Sequence, residues 1–239
     1  PILLPGEPGY FDSDGIYASS VVRIGPEAWR LYTIGWNAGA RPPIFYTAIG
    51  VAASDDDGRS FKKIGRAPIL SRSDWDPWMV SAPMVLNDQG NWTMWYLSGE
   101  GWHGSGIEMK SRYFIKTARS EDGLNWHRDG RVCIGPKDAA ETNISRCWVE
   151  RQEAGYCAWY AYERGSGYRI GYAISADGMT WDRRDERAGI GLSPSGWDSE
   201  AMAYPAVVRH GGRAYMFYNG NGFGRDGIGL AIAEDRKGS

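Results

Sequence analysis

The segment IGYAISADGMTW, residues 170–181, decides the fold. Small and bulky apolar residues run up to Ser175, and the pair Asp177-Gly178 follows. Such a run reads as a strand with a buried face. Asp caps the turn through its side chain, and Gly takes the positive φ that a tight hairpin requires. The pattern recurs as IGVAASDDDGRSF at 49–61, with Asp57-Gly58 as the turn pair, and as FIKTARSEDGLNW at 114–126. IGLAIA at 228–233 is a fourth copy of the strand. The aromatic that closes each turn (Phe61, Trp126, Trp181) is expected to pack against the next repeat.

Working outward, each copy is preceded by two further strands. The first set is IYASSVV from Ile16, MVSAPMVL from Met79, ISRCWVE from Ile144 and MAYPAVV from Met202. Aligning Ser20, Pro83, Cys147 and Pro205 gives steps of 63, 64 and 58 residues. The second set is WRLYTIGW, WTMWYLSG, YCAWYAYE and AYMFYNGN. A short fourth strand ends at Leu70 in the first repeat and lies near Val132 in the second. A strand order of this kind, repeated about every 60 residues, predicts an all-β chain of four-stranded antiparallel β-propeller blades. The repeats run 5–70, 71–134, 135–192 and 193–239 within one domain. PILL at 1–4 matches an outer strand that closes a blade. It is read as the remnant of a missing N-terminal blade, ahead of the alternative that it completes the last repeat.

Composition narrows the function. The chain has 239 residues, with 27 basic and 29 acidic side chains and a formal charge of −2. That balance argues against general affinity for nucleic acid or an anionic membrane. No stretch approaches the roughly 18 apolar residues of a membrane span. No signal peptide is visible, which favours the cytoplasm. Three cysteines (Cys133, Cys147 and Cys157) form neither a disulfide framework nor a zinc pattern and read as free thiols. Twelve Trp and 14 Tyr beside 33 Gly suit repeated hairpins and a sugar-facing surface.

Three motifs carry a resemblance: DWDPWMVSAP at 74–83, YRIGYAISADGMTW at 168–181 and WDSEAMAYP at 197–205, the last followed by NGNGFG. With FDSDG at 11–15, the chain resembles the five-bladed propellers of the arabinanase, invertase and levansucrase superfamily, including glycoside hydrolase family 43. It is most similar to uncharacterised propeller proteins found with polysaccharide-biosynthesis genes. The resemblance implies five blades and a carbohydrate ligand. In the catalytic families the general base is an Asp of the first blade, and no position here matches it.

Residues just before the innermost strands converge at one end of a propeller, so acids at those places are the candidates. They are Asp12 and Asp14, Asp74 and Asp76, Glu141, and Asp198 and Glu200. Glycoside hydrolysis needs two carboxyls across the scissile bond. Glu200, Asp76 and Asp14 are the expected catalytic acids. The acids Asp12 and Asp198 read as turn caps. Glu200 stands out because Gly15, Trp78 and Thr142 occupy its place in the other repeats. Arg146, Glu141, Tyr204, Asn221, Trp78 and His103 are the expected substrate contacts. The run Asp55-Asp56-Asp57 reads as a solvated turn, and no metal or cofactor is expected. Three functions fit: a glycoside hydrolase, a non-catalytic glycan-binding propeller, or a phosphorylase with Arg146 on phosphate.

Overall fold

The computed structural model describes residues 1–165 and 167–234. It is all-β, with four antiparallel sheets that are the expected propeller blades. Blade one is β1 (Gly15–Arg23), β2 (Trp29–Ala38), β3 (Phe45–Ser54) and β4 (Lys62–Lys63). Blade two is β5 (Val80–Asp88), β6 (Asn91–His103), β7 (Lys110–Ser120) and β8 (His127–Ile134). Blade three is β9 (Glu141–Gln152), β10 (Gly155–Arg164), β11 (Gly167–Ser175) and β12 (Asp182–Arg183). Blade four is β13 (Ala203–His210), β14 (Arg213–Asn219) and β15 (Ile228–Glu234), three strands among the described residues. In every blade the strands lie side by side in chain order. Four blades are thus present where the resemblance implies five.

The chain divides into two compact units, Pro1–Cys133 with the first two blades and Ile134–Ser239 with the last two. In the first unit, Tyr32, Ile49, Val51 and Leu70 pack on Val80, Val85, Trp92, Met94 and Tyr96. In the second, Ile170 and Ala188 pack on Met202, Val207, Met216 and Tyr218. Residues between these are often buried as well, such as Trp95 between Met94 and Tyr96, so the central strands are covered on both faces. Inner strands also touch within a unit: Ser19 Oγ donates to Pro83 O at 2.9 Å, and Val85 N donates to Ser20 Oγ at 3.1 Å.

The Asp-Gly turns form as expected in blades two and three. Asp122 Oδ1 accepts from the backbone N–H of Leu124 and Asn125, both at 2.8 Å, and Gly123 N donates to Ser120 Oγ at 2.8 Å. Asp177 repeats the arrangement with Met179 and Thr180. Blade one differs. Its turn is one residue longer, and the cap is Asp56 rather than Asp57: Asp56 Oδ1 accepts from Ser60 N at 2.9 Å and Ser54 Oγ at 2.7 Å. Asp57 instead sits at φ 59° and accepts from Trp29 Nε1. Trp126 packs edge-on against Tyr32 of the preceding blade, 6.2 Å between centroids. Tyr32 in turn donates its hydroxyl to Gly123 O at 2.9 Å.

Two expected outer strands are altered. PILL at 1–4 forms no strand. The chain after it folds back on itself, with Tyr10 N donating to Glu7 O and Gly6 N to Asp12 O. In blade one the fourth strand is reduced to Lys62–Lys63, and Leu70 contributes an isolated bridge to Ile49.

Candidate functional site

The acids that precede the inner strands are mostly engaged. Asp12 is 1% exposed, and its Oδ2 accepts from Lys63 Nζ at 2.5 Å. Asp76, fully buried, has Arg128 Nη1 2.9 Å from Oδ2, off the line of a hydrogen bond, and Lys116 Nζ 3.5 Å from Oδ1. The Tyr96 hydroxyl adds a bond to Asp76 at 3.1 Å. Glu141, 2% exposed, is gripped by Arg183 at 2.5 and 3.2 Å. Lys63, Arg128 and Arg183 each stand two residues after the turn aromatic, so one motif supplies both the turn and the cation. Asp198 takes the Tyr218 hydroxyl at 3.0 Å. Burial, reinforced by the charge of Asp76, pushes the Tyr96 phenol far above its ordinary value.

A second position behaves differently. Glu200 N donates to Asn221 Oδ1 at 2.9 Å. The same two repeat positions in blade three are Thr142 and Glu163, and there the Thr142 hydroxyl donates to Glu163 Oε2 at 2.9 Å. In blade one they are Gly15 and Trp36, paired across β1 and β2. In blade two they are Trp78 and Gly99, and a Cβ on Gly99 would stand 3.1 Å from the Trp78 Cβ. The fold therefore repeats one contact four times and varies its chemistry. Glu200 is exposed, and among the described residues no hydrogen bond or ion pair engages its carboxylate. Its main chain is fixed on both sides: Ala201 N also donates to Asn221 Oδ1, at 3.0 Å, and Arg169 Nη1 donates to Glu200 O at 2.9 Å.

A β-bulge sits at a shared place in every inner strand, where the register slips. Its residues are Ser19, Ala82, Arg146 and Tyr204, and the last three have φ of 46°, 21° and 57°. Non-glycine residues held at positive φ are strained, and bulges re-aim side chains beside functional sites. In the second unit the bulge brings Arg146 and Tyr204 into electrostatic contact. Burial pulls the Arg146 guanidinium down and pushes the Tyr204 phenol up, and each charge partly offsets the shift of the other. Glu163 acts on Tyr204 as well, raising it further. Phe223, 61% exposed, stacks on Tyr204 with centroids 6.2 Å apart and meets Tyr168 edge-on at 5.9 Å. One end of the second unit therefore gathers two carboxylates, a guanidinium and an aromatic shelf.

Comparison with known proteins places the chain. No family model matches it. The uncharacterized protein Rv1502 of Mycobacterium tuberculosis (strain ATCC 25618 / H37Rv) is 38% identical over 235 residues, covering 98% of this chain and 77% of that protein. The chain belongs to the Rv1502 family. Solved structures share the fold. A BT0996 RGII complex matches with a TM-score of 0.75 at 19% identity over 99% of this chain and 74% of that one. An endo-arabinase from Bacteroides thetaiotaomicron VPI-5482 gives 0.65 at 16%, covering 96% and 78%. A β-1,2-mannobiose phosphorylase from Listeria innocua gives 0.65 at 12%, covering 96% and 74%.

The remaining expected residues of this Rv1502-family chain lie in the first unit. Asp14 is exposed, and its Oδ2 accepts from Ala38 N at 2.8 Å. Trp78 is 44% exposed. His103 is exposed at the end of β6. Trp36 in β2 and Trp102 in β6 both contact Phe45, at 6.5 and 5.2 Å, and form an aromatic cluster with it. Sequence reasoning missed Glu163, Tyr168 and Phe223. Glu163 carried a usable signal, since Trp36, Gly99 and Asn221 hold its place in the other repeats. Among the described residues no group of three or more His, Cys, Asp or Glu is placed to hold a metal, and no helix is long and apolar enough to cross a membrane.

Proposed function

We propose that this protein is a carbohydrate-active propeller that binds a glycan or glycoconjugate at this end of its second unit and hydrolyses a glycosidic bond there. The observation that carries the reading is the Glu200 carboxylate, exposed and unengaged among the described residues while its main chain is pinned by Asn221 and Arg169. Glu200 acts as the general acid and protonates the leaving oxygen as the bond to the anomeric carbon breaks. Glu163, held by Thr142 and Asn143 at 2.9 and 2.6 Å, takes the proton of the attacking water. Tyr204 and Phe223 offer an apolar face to a sugar ring, Arg146 binds its oxygens, and Asn221 acts through the segment 196–201 that it holds. Glycan-active proteins of the same fold support the class of ligand. Asp14 is the proposed catalytic acid of the first unit, with Trp78 and His103 as sugar contacts there. Asp76, without exposed surface, is assigned to hold Arg128 and Lys116 in place.

The test is turnover of an oligosaccharide panel by wild type and Glu200→Gln, with and without phosphate. Loss of about 100-fold or more is expected with unchanged glycan binding. Unchanged turnover removes Glu200 from catalysis. A second reading, glycan binding without cleavage, is favoured by the ion pairs that occupy Asp12, Asp76 and Glu141. Binding on a glycan array with no product by mass spectrometry decides for it. Turnover that appears only with phosphate shifts the reading to phosphorolysis.

A further inference from the structure

Blade one lacks a tyrosine that the other three blades share. Thirteen residues beyond the aligned Ser20, Pro83, Cys147 and Pro205 stand Thr33, Tyr96, Tyr160 and Tyr218. The sheet register agrees, pairing Thr33 with Gly50, Tyr96 with Lys116, Tyr160 with Gly171 and Tyr218 with Gly229. Each tyrosine donates its hydroxyl to a buried or half-buried acid: Tyr96 to Asp76, Tyr218 to Asp198 and Tyr160 to Asp185. Among the described residues no phenol serves Asp12 in blade one. Asp12 is 1% exposed, and its Oδ2 is taken by Lys63, yet its Oδ1 is buried without a donor. Beside it opens a cavity of about 300 Å³, lined by Phe11, Asp12, Thr33, Val51, Lys63 and Leu124 among others. By motif, Phe11, Asp12 and Lys63 are the counterparts of Trp75, Asp76 and Arg128, an aromatic-Asp pair before the inner strand and a cation two residues past the turn aromatic, and Asp76 and Arg128 both act on Tyr96.

We infer that this cavity is a binding site for a small phenol-bearing molecule, whose hydroxyl donates to Asp12 Oδ1 and whose ring lies where the sister blades put a tyrosine. A buried carboxylate oxygen without a donor is costly, so a single hydroxyl donor is the group it selects. Phe11, Val51 and Leu124 offer the mixed wall an apolar side against which an aromatic ring can lie, and the volume sits at the lower end of the range for small-molecule pockets. The residues that line the cavity all belong to the first unit, whereas Glu200 and Glu163 belong to the second.

The probe is 4-methylphenol, the tyrosine side chain as a free molecule, added to the full chain. Saturation-transfer NMR and thermal unfolding read its binding. Transfer and a saturable rise in Tm are expected, with toluene, which lacks the hydroxyl, binding roughly tenfold or more weakly. Thr33→Tyr is expected to raise the ligand-free Tm and abolish transfer. If that variant does not fold, Thr33→Phe fills the same space and must abolish transfer too. No transfer in wild type, equal binding of toluene, or transfer that survives the folded variant overturns the inference.

Discussion

The side-chain oxygen of Asn221 holds the backbone N–H of Glu200 at 2.9 Å, and its amide nitrogen donates to Gly196 O at 3.0 Å. A single buried residue thus ties together the segment 196–201 that presents the proposed acid. Asn221→Ala removes these bonds and leaves backbone groups to find other partners. The expected cost is about 1–3 kcal/mol, read by urea unfolding, with a larger proportional fall in glycan affinity. Affinity that holds while stability falls would show that segment 196–201 does not meet the ligand.

Asp76 and Glu200 are expected to separate cleanly under conservative substitution. Asp76→Asn leaves Arg128 without its anion in a buried site while Lys116 keeps Glu100 at 2.9 Å, and breaking such a buried pair costs about 3–5 kcal/mol. Glu200→Gln touches no ion pair among the described residues, and its Tm is expected to match wild type. Thermal unfolding of the two variants side by side checks both statements.

The first turn offers a sharper contrast. Asp56 accepts from Ser54, Ser60 N and Ser60 Oγ, whereas Asp57 accepts from Trp29 Nε1. Asp56→Ala is therefore expected to lower Tm more than Asp57→Ala, although it is Asp57 that precedes the glycine. An equal or reversed order would mean that the longer turn is held by Trp29 instead.

Acid stability has a named contributor. Burial pushes the Asp185 carboxyl up, but the Tyr160 hydroxyl, Lys137 and Arg183 outweigh it and hold it below the ordinary 3.8. A carboxyl lowered in the folded state stabilises the fold above its unfolded value, and that contribution is lost as pH falls through the folded value. Stability should thus be level near neutrality with respect to this group and decline below about pH 4. Asp185→Asn should differ most from wild type at pH 7 and least at pH 3, as measured by urea unfolding at each pH.

Much of the architecture was legible in the residues alone. Turn chemistry and strand alternation repeat at the level of residue type, so Asp122-Gly123, Asp177-Gly178 and the strands around them announce the blades. Glu200 could be singled out because the repeat supplies its own control positions. The ion pairs were not legible, since Lys63, Arg128 and Arg183 lie 42 to 52 residues from their acids and meet them through sheet geometry. Residue type alone therefore does not reveal that Asp76 and Glu141 are held in ion pairs. Arg146 and Tyr204 were chosen from residue type, but their bulge was invisible, because no glycine marks it. In blade one the extra residue moved the cap from Asp57 to Asp56, a shift that a motif centred on Asp-Gly conceals.

The inner-strand bulge has a consequence for how the blades of this chain differ. Ser19, Ala82, Arg146 and Tyr204 are a small alcohol, a methyl, a cation and a phenol in one backbone socket. The ladder on either side of the socket is kept by neighbouring residues, so its occupant is released from the sheet's own sequence demands. Recognition can then drift one residue at a time without renegotiating the scaffold. Grafting the Arg146 side chain into the Ala82 socket would ask whether the blades are interchangeable parts.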